Sequence, residues 1–330
     1  MPVIITSEKI HPFLPSLGSG AAIEHERAAH QDIRPLEIAI LNLMADKIST
    51  ERQLALWLGH TPLQVRLTFI ATDRYVRDVK AGRKGNNTSS DHIRKFYSAW
   101  SDIKTQKFDG LIVTGINALK TRVNDEVFWE DVREIFRWSE THAFSSLFLC
   151  WGAKAALKHF HDIESVKGKK KTFGLFEHRC VSDKTDLLFG FPDRFSVPIS
   201  RWKSPDSASI AACSALEVVA ASEETGANIL VESAIYDKAR FYPRRVYVLN
   251  HPEYETDTLQ REYNRDSVKN PGWPLPKHYF QKCKTNETPP NSWRHTGFLY
   301  TNWINAIYDA TPYALDEIPH PFKLAAPHSK

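Results

Sequence analysis

Two short segments carry residue types that together would make a covalent catalyst. Ser145-Ser146-Leu147-Phe148-Leu149-Cys150-Trp151-Gly152 reads as an apolar strand entering a tight turn, and Ala153 to His159 is rich in helix formers. A cysteine on such a strand-to-helix elbow is held out from the sheet, and the partial positive charge of the helix N-terminus favours its thiolate. The second segment, Tyr247-Val248-Leu249-Asn250-His251-Pro252-Glu253-Tyr254, is an apolar strand that stops at His-Pro-Glu. Proline stiffens that turn, so histidine and carboxylate can both face the crevice at the carboxyl ends of the strands. Glu253 would orient His251 and stabilise its imidazolium, while His251 takes a proton from a thiol or hydroxyl. Read singly, each segment has a plainer explanation: an inert buried cysteine and a surface turn. Read together they form a Cys-His-Glu triad candidate, because thiol activation needs a base and the base needs an orienter.

These residues need a scaffold, and the first half of the chain supplies one. Leu36 to Met44 is a nearly continuous apolar run of the kind a buried parallel strand shows, with a helix expected from about Ser49 to Leu58. Pro62 to Ile70 alternates with period two, Phe108 to Gly115 is a strand and glycine turn, and Val127 to Thr141 has helical spacing. Strands alternating with helices predict an α/β fold, a mostly parallel sheet flanked by helices on both faces. The second half is less regular. Strands are expected at Phe173 to Cys180, Phe195 to Ile199, Leu216 to Ala221, Ile229 to Ile235 and Arg245 to Asn250, with helices at Thr256 to Asp266 and Thr296 to Tyr308. Residues 1–30 read as an irregular arm, 31–315 as a single domain and 316–330 as a tail. The Lys167 to Lys171 run reads as a solvated loop.

Composition narrows the function classes. With 330 residues, 42% of them hydrophobic and 25% charged, the chain is an ordinary globular one that can bury a sizeable core, which excludes disordered and fibrous readings. A net charge of +4 without dense clustering gives no nucleic-acid footprint. Four cysteines stand singly, with no C-x-x-C pair, so neither a disulfide framework nor a metal site is expected and a reducing cytoplasm is the expected location. No run of about 18 apolar residues occurs, so no membrane association is expected.

The segments Arg34-Pro35-Leu36, Leu41-Asn42-Leu43-Met44 with Lys47, Phe108 to Gly115, Leu149 to Ala153, His251 to Tyr254, Ser292-Trp293-Arg294 and Thr301-Asn302-Trp303 resemble, in order, the homoserine O-acyltransferases of the homoserine transsuccinylase family. The resemblance covers about residues 30 to 315 and implies a class I glutamine amidotransferase-like fold with flavodoxin-like layers. It implies that Cys150 accepts the acyl group from acetyl-CoA or succinyl-CoA as a thioester, that His251 is the base and that Glu253 is its partner. Lys171, Ser200 and Arg265 match positions that contact substrate, and Glu262 lies one helical turn before Arg265; a cation suits an amino-acid carboxylate and a carboxylate its ammonium group. Lys47 matches a lysine near the thioester that would help hold the oxyanion beside the Trp151 backbone N–H. The chemistry implied is ping-pong transfer to the hydroxyl of L-homoserine, with no cofactor or metal and a homodimeric assembly.

The match departs at Ile116-Asn117, where the family continues the Thr-Gly turn with Ala-Pro, and at three further places. Leu119 stands where the family has glycine with succinyl-CoA and glutamate with acetyl-CoA; its apolar bulk would desolvate a succinyl carboxylate, so acetyl is the expected donor. Ile199 replaces a histidine before Ser200-Arg201, and Phe176 replaces the tyrosine of a Tyr-Glu-His motif, leaving Glu177 and His178. Both changes remove polar groups, which keeps serine or a related hydroxy amino acid open as acceptor, since one methylene discriminates by only about 1–3 kcal/mol. A glutamine amidotransferase would also keep Cys and His, but it needs an ammonia-accepting partner domain for which this chain shows no room.

Overall fold

In the computed structural model, residues 3–5, 22–23, 34–83, 88–116, 118, 120, 122–182, 185–236, 240–280, 287, 289–320 and 323–324 are described. The strands are β1 (Val3–Ile5), β2 (Ala22–Ile23), β3 (Leu36–Leu41), β4 (Val65–Ala71), β5 (Ser98–Ala99), β6 (Phe108–Val113), β7 (Ala143–Leu149), β8 (Ser165–Cys180), β9 (Arg194–Pro205), β10 (Glu217–Ser222), β11 (Gly226–Tyr236), β12 (Arg240–Val248) and β13 (Lys323–Leu324). They form one sheet of order β2-β1-β4-β3-β6-β7-β12-β11-β10-β8-β9.

The pairings from β2 across to β12 are parallel, and those from β12 outward to β9 are antiparallel. The first half therefore matches the expected strand and helix alternation, while the second half is an antiparallel run, with β8 between β10 and β9, that alternation alone does not describe. The segment 1–30, expected to be irregular, contributes β1 and β2, and β1 pairs with β4. The Lys167 to Lys171 run is not a loop but part of β8, where its hairpin with β9 carries a bulge between Lys167 and Thr172. A bulged, protruding hairpin keeps lysines solvated within a strand.

Helices cover both faces. On one, Leu54, Ala55 and Leu58 of the Lys47–Leu58 helix share a buried cluster with Leu299, Tyr300, Trp303, Ile304 and Ile307 of the Phe298–Ala310 helix. On the other, Val132, Ile135 and Phe136 of the Trp129–His142 helix pack with Ala153, Ala156 and Leu157 of the Trp151–His161 helix. Each burial removes apolar surface at about 25 cal/mol per Å². Among the described residues, no helix is long and apolar enough to cross a membrane.

Candidate active site

The parallel register of β7 and β12 sets the site. Leu149 pairs with Val248, and the Cys150 N–H donates to the Val248 carbonyl at 2.7 Å, so the turns that follow these strands open side by side. Cys150 sits in that turn with φ 48° and ψ −104°, a positive φ that a non-glycine side chain adopts only under constraint. No side chain caps the helix that begins at Trp151, which leaves its first N–H groups available at the sulfur. Gly115, on the neighbouring turn after β6, approaches closely: a Cβ there would lie 3.1 Å from the Cys150 Cβ and 3.7 Å from its Sγ.

His251 is buried and hydrogen-bonds the Cys150 thiol, while its Nδ1 lies 2.8 Å from Glu253 Oε1. The structure thus brings together the three residues of the expected triad. The turn is braced from four sides. The Pro198 carbonyl accepts from His251 N–H at 3.1 Å, Tyr254 stacks on the imidazole at 4.2 Å, Thr296 donates to the Pro252 carbonyl at 3.3 Å and Trp293 Nε1 donates to the Tyr254 carbonyl at 2.7 Å. Tyr300 donates its hydroxyl to Glu253 Oε2 at 3.1 Å, so both carboxylate oxygens are engaged.

Burial pushes the Cys150 thiol up, but Lys154, His251 and Arg201 together outweigh it and hold the thiol well below its ordinary value. Burial pulls the other way on His251, which the thiolate and Glu253 hold protonated well above the usual imidazole range. Both shifts run in the direction that favours the thiolate–imidazolium form of the pair. Arg201 is fixed by Asn250, by the Thr225 carbonyl at 2.7 Å and by the Leu249 carbonyl at 3.5 Å, and burial lowers its guanidinium to about 10.

The expected substrate residues form a second cluster. Lys171 Nζ lies 3.2 Å from Asp266 and 3.6 Å from Glu262, Ser200 donates its hydroxyl to Glu262, and Tyr254 donates to the other Glu262 oxygen at 2.6 Å. Arg265 pairs through Nε with Asp266 at 2.8 Å and stays about half exposed. Tyr254 joins this cluster to the triad by touching both His251 and Glu262.

Lys47 is buried, and its ammonium donates to the carbonyls of Asn42 at 2.5 Å and Met44 at 3.1 Å and lies 4.7 Å over the Tyr75 ring. Burial lowers it to about 8. The cations that lower the thiol are Lys154, His251 and Arg201, in that order, and Lys47 is not among them. Lys47 does line a cavity of about 260 Å³ with Leu43, Tyr75, Ile116 and Phe128. Ile116 follows Gly115, and Phe128 packs edge-on against Trp151 at 5.4 Å, so this cavity borders the elbow. A larger cavity of about 540 Å³, under β8 and β10, has none of the triad in its wall.

Of the departures, Leu119 lies outside the described residues, as does Cys283. Ile199 and Phe176 are buried, and Glu177 turns outward to pair with Arg194 at 2.6 Å. His178 accepts from Asn250 Nδ2 at 3.2 Å and burial lowers it to about 4, so it stays neutral. The sequence reading passed over Lys154, Tyr254, Asp266 and Tyr300. Tyr254 and Asp266 adjoin named residues, and Lys154 interrupts an alanine run, Ala153-Lys154-Ala155-Ala156, one turn after the cysteine; Tyr300 has no such local signal.

Residues 11–313 match the Homoserine O-succinyltransferase family. The chain is 41% identical over 295 residues to the Homoserine O-acetyltransferase of Lachnoclostridium phytofermentans, covering 89% of this chain and 93% of that protein. It is 39% identical over 299 residues to the Homoserine O-acetyltransferase of Chelativorans sp., covering 90% and 91%. Among solved structures, a glutamine amidotransferase from Thermotoga maritima superposes with a TM-score of 0.51 at 13% identity, covering 84% of this chain and 99% of that one. At that identity the likeness establishes the fold alone, the glutamine amidotransferase-like architecture expected from sequence.

Proposed function

This chain belongs to the homoserine O-succinyltransferase family, and from that membership we propose that it moves an acetyl group from acetyl-CoA to the side-chain hydroxyl of L-homoserine through a thioester on Cys150. It is a homoserine O-acyltransferase, an enzyme of amino-acid biosynthesis. The observation that carries the mechanism is the unbroken relay from Cys150 through His251 to Glu253 and Tyr300 at a strained elbow. Acetyl as donor is supported by the relatives, which are homoserine O-acetyltransferases, and by the apolar bulk of Leu119.

The Cys150 thiolate attacks the thioester carbonyl of acetyl-CoA, and the oxyanion that forms is held by the Trp151 N–H at the uncapped helix start. Lys47 faces the neighbouring cavity as a second donor on the acyl side. Coenzyme A leaves with the proton from His251 Nε2, since Nδ1 is committed to Glu253. Neutral His251 then takes the homoserine hydroxyl proton, the oxygen attacks the enzyme thioester, and collapse returns the thiolate and the imidazolium. Lys171 and Arg265 hold the acceptor carboxylate and Glu262 its ammonium group, with Ser200 fixing the Glu262 carboxylate. No cofactor takes part, and the working unit is a cytoplasmic homodimer.

Serine is the second reading for the acceptor, favoured by Ile199 and Phe176, buried apolar residues where the resembled family has polar ones. Intact-protein mass spectrometry after brief exposure to acetyl-CoA or succinyl-CoA, chased with homoserine or serine, decides both. An acetyl adduct on Cys150 discharged by homoserine is expected. An adduct from neither donor would overturn the thioester mechanism, and discharge by serine alone would replace the acceptor.

A further inference from the structure

The hairpin of β8 and β9 carries charge and aromatic surface that neither the relay nor the acceptor cluster uses. Lys167, Lys169 and Lys170 lie at its bulge, all exposed, and among the described residues none of them pairs with an acid. Lys171, at the base of the same run, is instead held by Glu262 and Asp266. Between the bulge and Lys171 stands a pair of indoles. The Lys167 ammonium lies 5.9 Å over the Trp202 ring, Trp202 meets Trp273 edge-on at 6.1 Å, and Lys171 lies 5.8 Å over Trp273. Cation, ring, ring and cation thus run in one line from the surface to the acceptor cluster. Trp202 is 42% exposed, which leaves indole surface uncovered. Trp273 Nε1 is buried with no hydrogen-bond acceptor among the described residues, an orphan donor that the folded chain itself does not satisfy.

The same hairpin touches the segment that leads to the nucleophile. Lys203 on β9 donates to the carbonyl of Lys120, the residue after Leu119. From Gly115, where a Cβ would lie 3.7 Å from the Cys150 Sγ, to Lys120 is five residues, at most about 18 Å of chain. Successive side chains of β9 point to opposite faces, so Arg201 turns to Asn250 beside His251 while Trp202 shares the face of Ser200. A ligand whose reactive end is at the sulfur therefore reaches the hairpin with an extended arm.

We propose that the Trp202 notch and the bulge lysines dock the nucleotide end of the acyl donor, with the adenine on the Trp202 indole and the phosphates at Lys167, Lys169 and Lys170. The inference rests on the reading of an acyl-CoA as donor and adds where that donor is held. Coenzyme A has a purine and three phosphates at one end of a flexible arm and the thioester at the other. The purine has a π-face that stacks on an exposed indole, and the phosphates suit ammonium groups that no carboxylate neutralises. An acceptor amino acid has neither group, so the notch and the acceptor cluster share a border without competing for one ligand.

The test is adduct formation on Cys150 in the full chain as a function of acetyl-CoA concentration, with S-acetylpantetheine, which lacks the nucleotide, as second donor. In Trp202→Ala the half-saturating acetyl-CoA concentration is expected to rise about tenfold at an unchanged limiting rate, the worth of one base stacked on a ring, and Trp202→Phe should recover most of it. Lys169→Gln combined with Lys170→Gln raises the same concentration several-fold and flattens its dependence on salt. Loading from S-acetylpantetheine stays as in wild type in these variants. Adenosine 3′,5′-bisphosphate, followed by calorimetry, binds Cys150→Ala, loses affinity when Trp202→Ala is added, and competes with acetyl-CoA in the wild type. Three results would each overturn the proposal: unchanged saturation by acetyl-CoA in the folded Trp202 and lysine variants, an equal loss with both donors, or bisphosphate binding without competition, which would give the notch to a free nucleotide. Trp202-dependent bisphosphate binding with no adduct from any acyl-CoA would sink acyl transfer and leave the notch as a nucleotide site; normal loading in every variant would do the reverse.

Discussion

The two charged clusters of the site are built on opposite plans. Around the nucleophile, Lys154, Arg201 and His251 face a single sulfur, and the nearest carboxylate, Glu253, is held behind the imidazole by Tyr300. In the second cluster each cation meets an acid: Lys171 meets Glu262 and Asp266, and Arg265 meets Asp266, which together with Lys171 holds Asp266 below the usual carboxylate range against the effect of burial. The first cluster lacks a negative charge that only ionised sulfur provides. The second is already neutral, so a zwitterionic amino acid can exchange with its internal pairs without changing net charge. Activation of a nucleophile and selection of a substrate thus place different demands on the same residue types.

The strongest way to break this contrast is to remove the sulfur. Cys150→Ala is expected to abolish both the adduct and turnover while the protein stays folded, since alanine keeps the Cβ that the φ of 48° already accommodates; wild-type-like turnover would refute the mechanism. The acidic limb of loading sharpens the same point. Since Lys154, His251 and Arg201 hold the thiol below its ordinary value, loading should persist as pH falls below 8 and fail only further down; a limb centred near 9 would contradict that. Glu262→Gln unbalances the second cluster. Discharge to the amino acid should slow by roughly 10- to 100-fold, the worth of one charged hydrogen bond, with loading unchanged. If loading slowed equally, the two clusters would not be separate devices.

Tyr300→Phe removes one of two hydrogen bonds from Glu253 and should cost a few-fold to about tenfold in loading, measured by stopped adduct formation across pH. The smallest effect is expected at Leu119→Gly, where succinyl-CoA use relative to acetyl-CoA should rise about threefold in a competition assay. An unchanged donor ratio would show that bulk at this position does not govern the acyl group.

The triad was legible because its residues end apolar strands, where an α/β sheet gathers its chemistry. Other residues of the same motifs proved to be packing. Arg34 grips Asp109 through two hydrogen bonds of 2.8 and 2.9 Å, and the same carboxylate accepts from Glu37 N–H and the Thr311 hydroxyl. Gly110 is needed because a Cβ there would lie 2.5 Å from the Trp303 ring, whose Nε1 donates to Ser145. What the sequence concealed depends on contacts between distant segments. The antiparallel strands can be read as strands like those of the parallel half, but periodicity does not encode pairing direction. Lys154 looks like any helix surface lysine until β9 covers it, and Tyr300 is 47 residues from the carboxylate it holds.

That last distance has a consequence for synthesis of the chain. Trp293, Thr296 and Tyr300, which fix the His-Pro-Glu-Tyr turn, all lie in the last forty or so residues. A ribosome delivers the nucleophile long before it delivers these braces, at the usual pace of about 5–20 residues per second. Until the Phe298–Ala310 helix docks, Cys150 has an unoriented base and the reactivity of an ordinary cysteine. The contacts that orient the base beside the nucleophile thus come from residues made more than a hundred positions after Cys150.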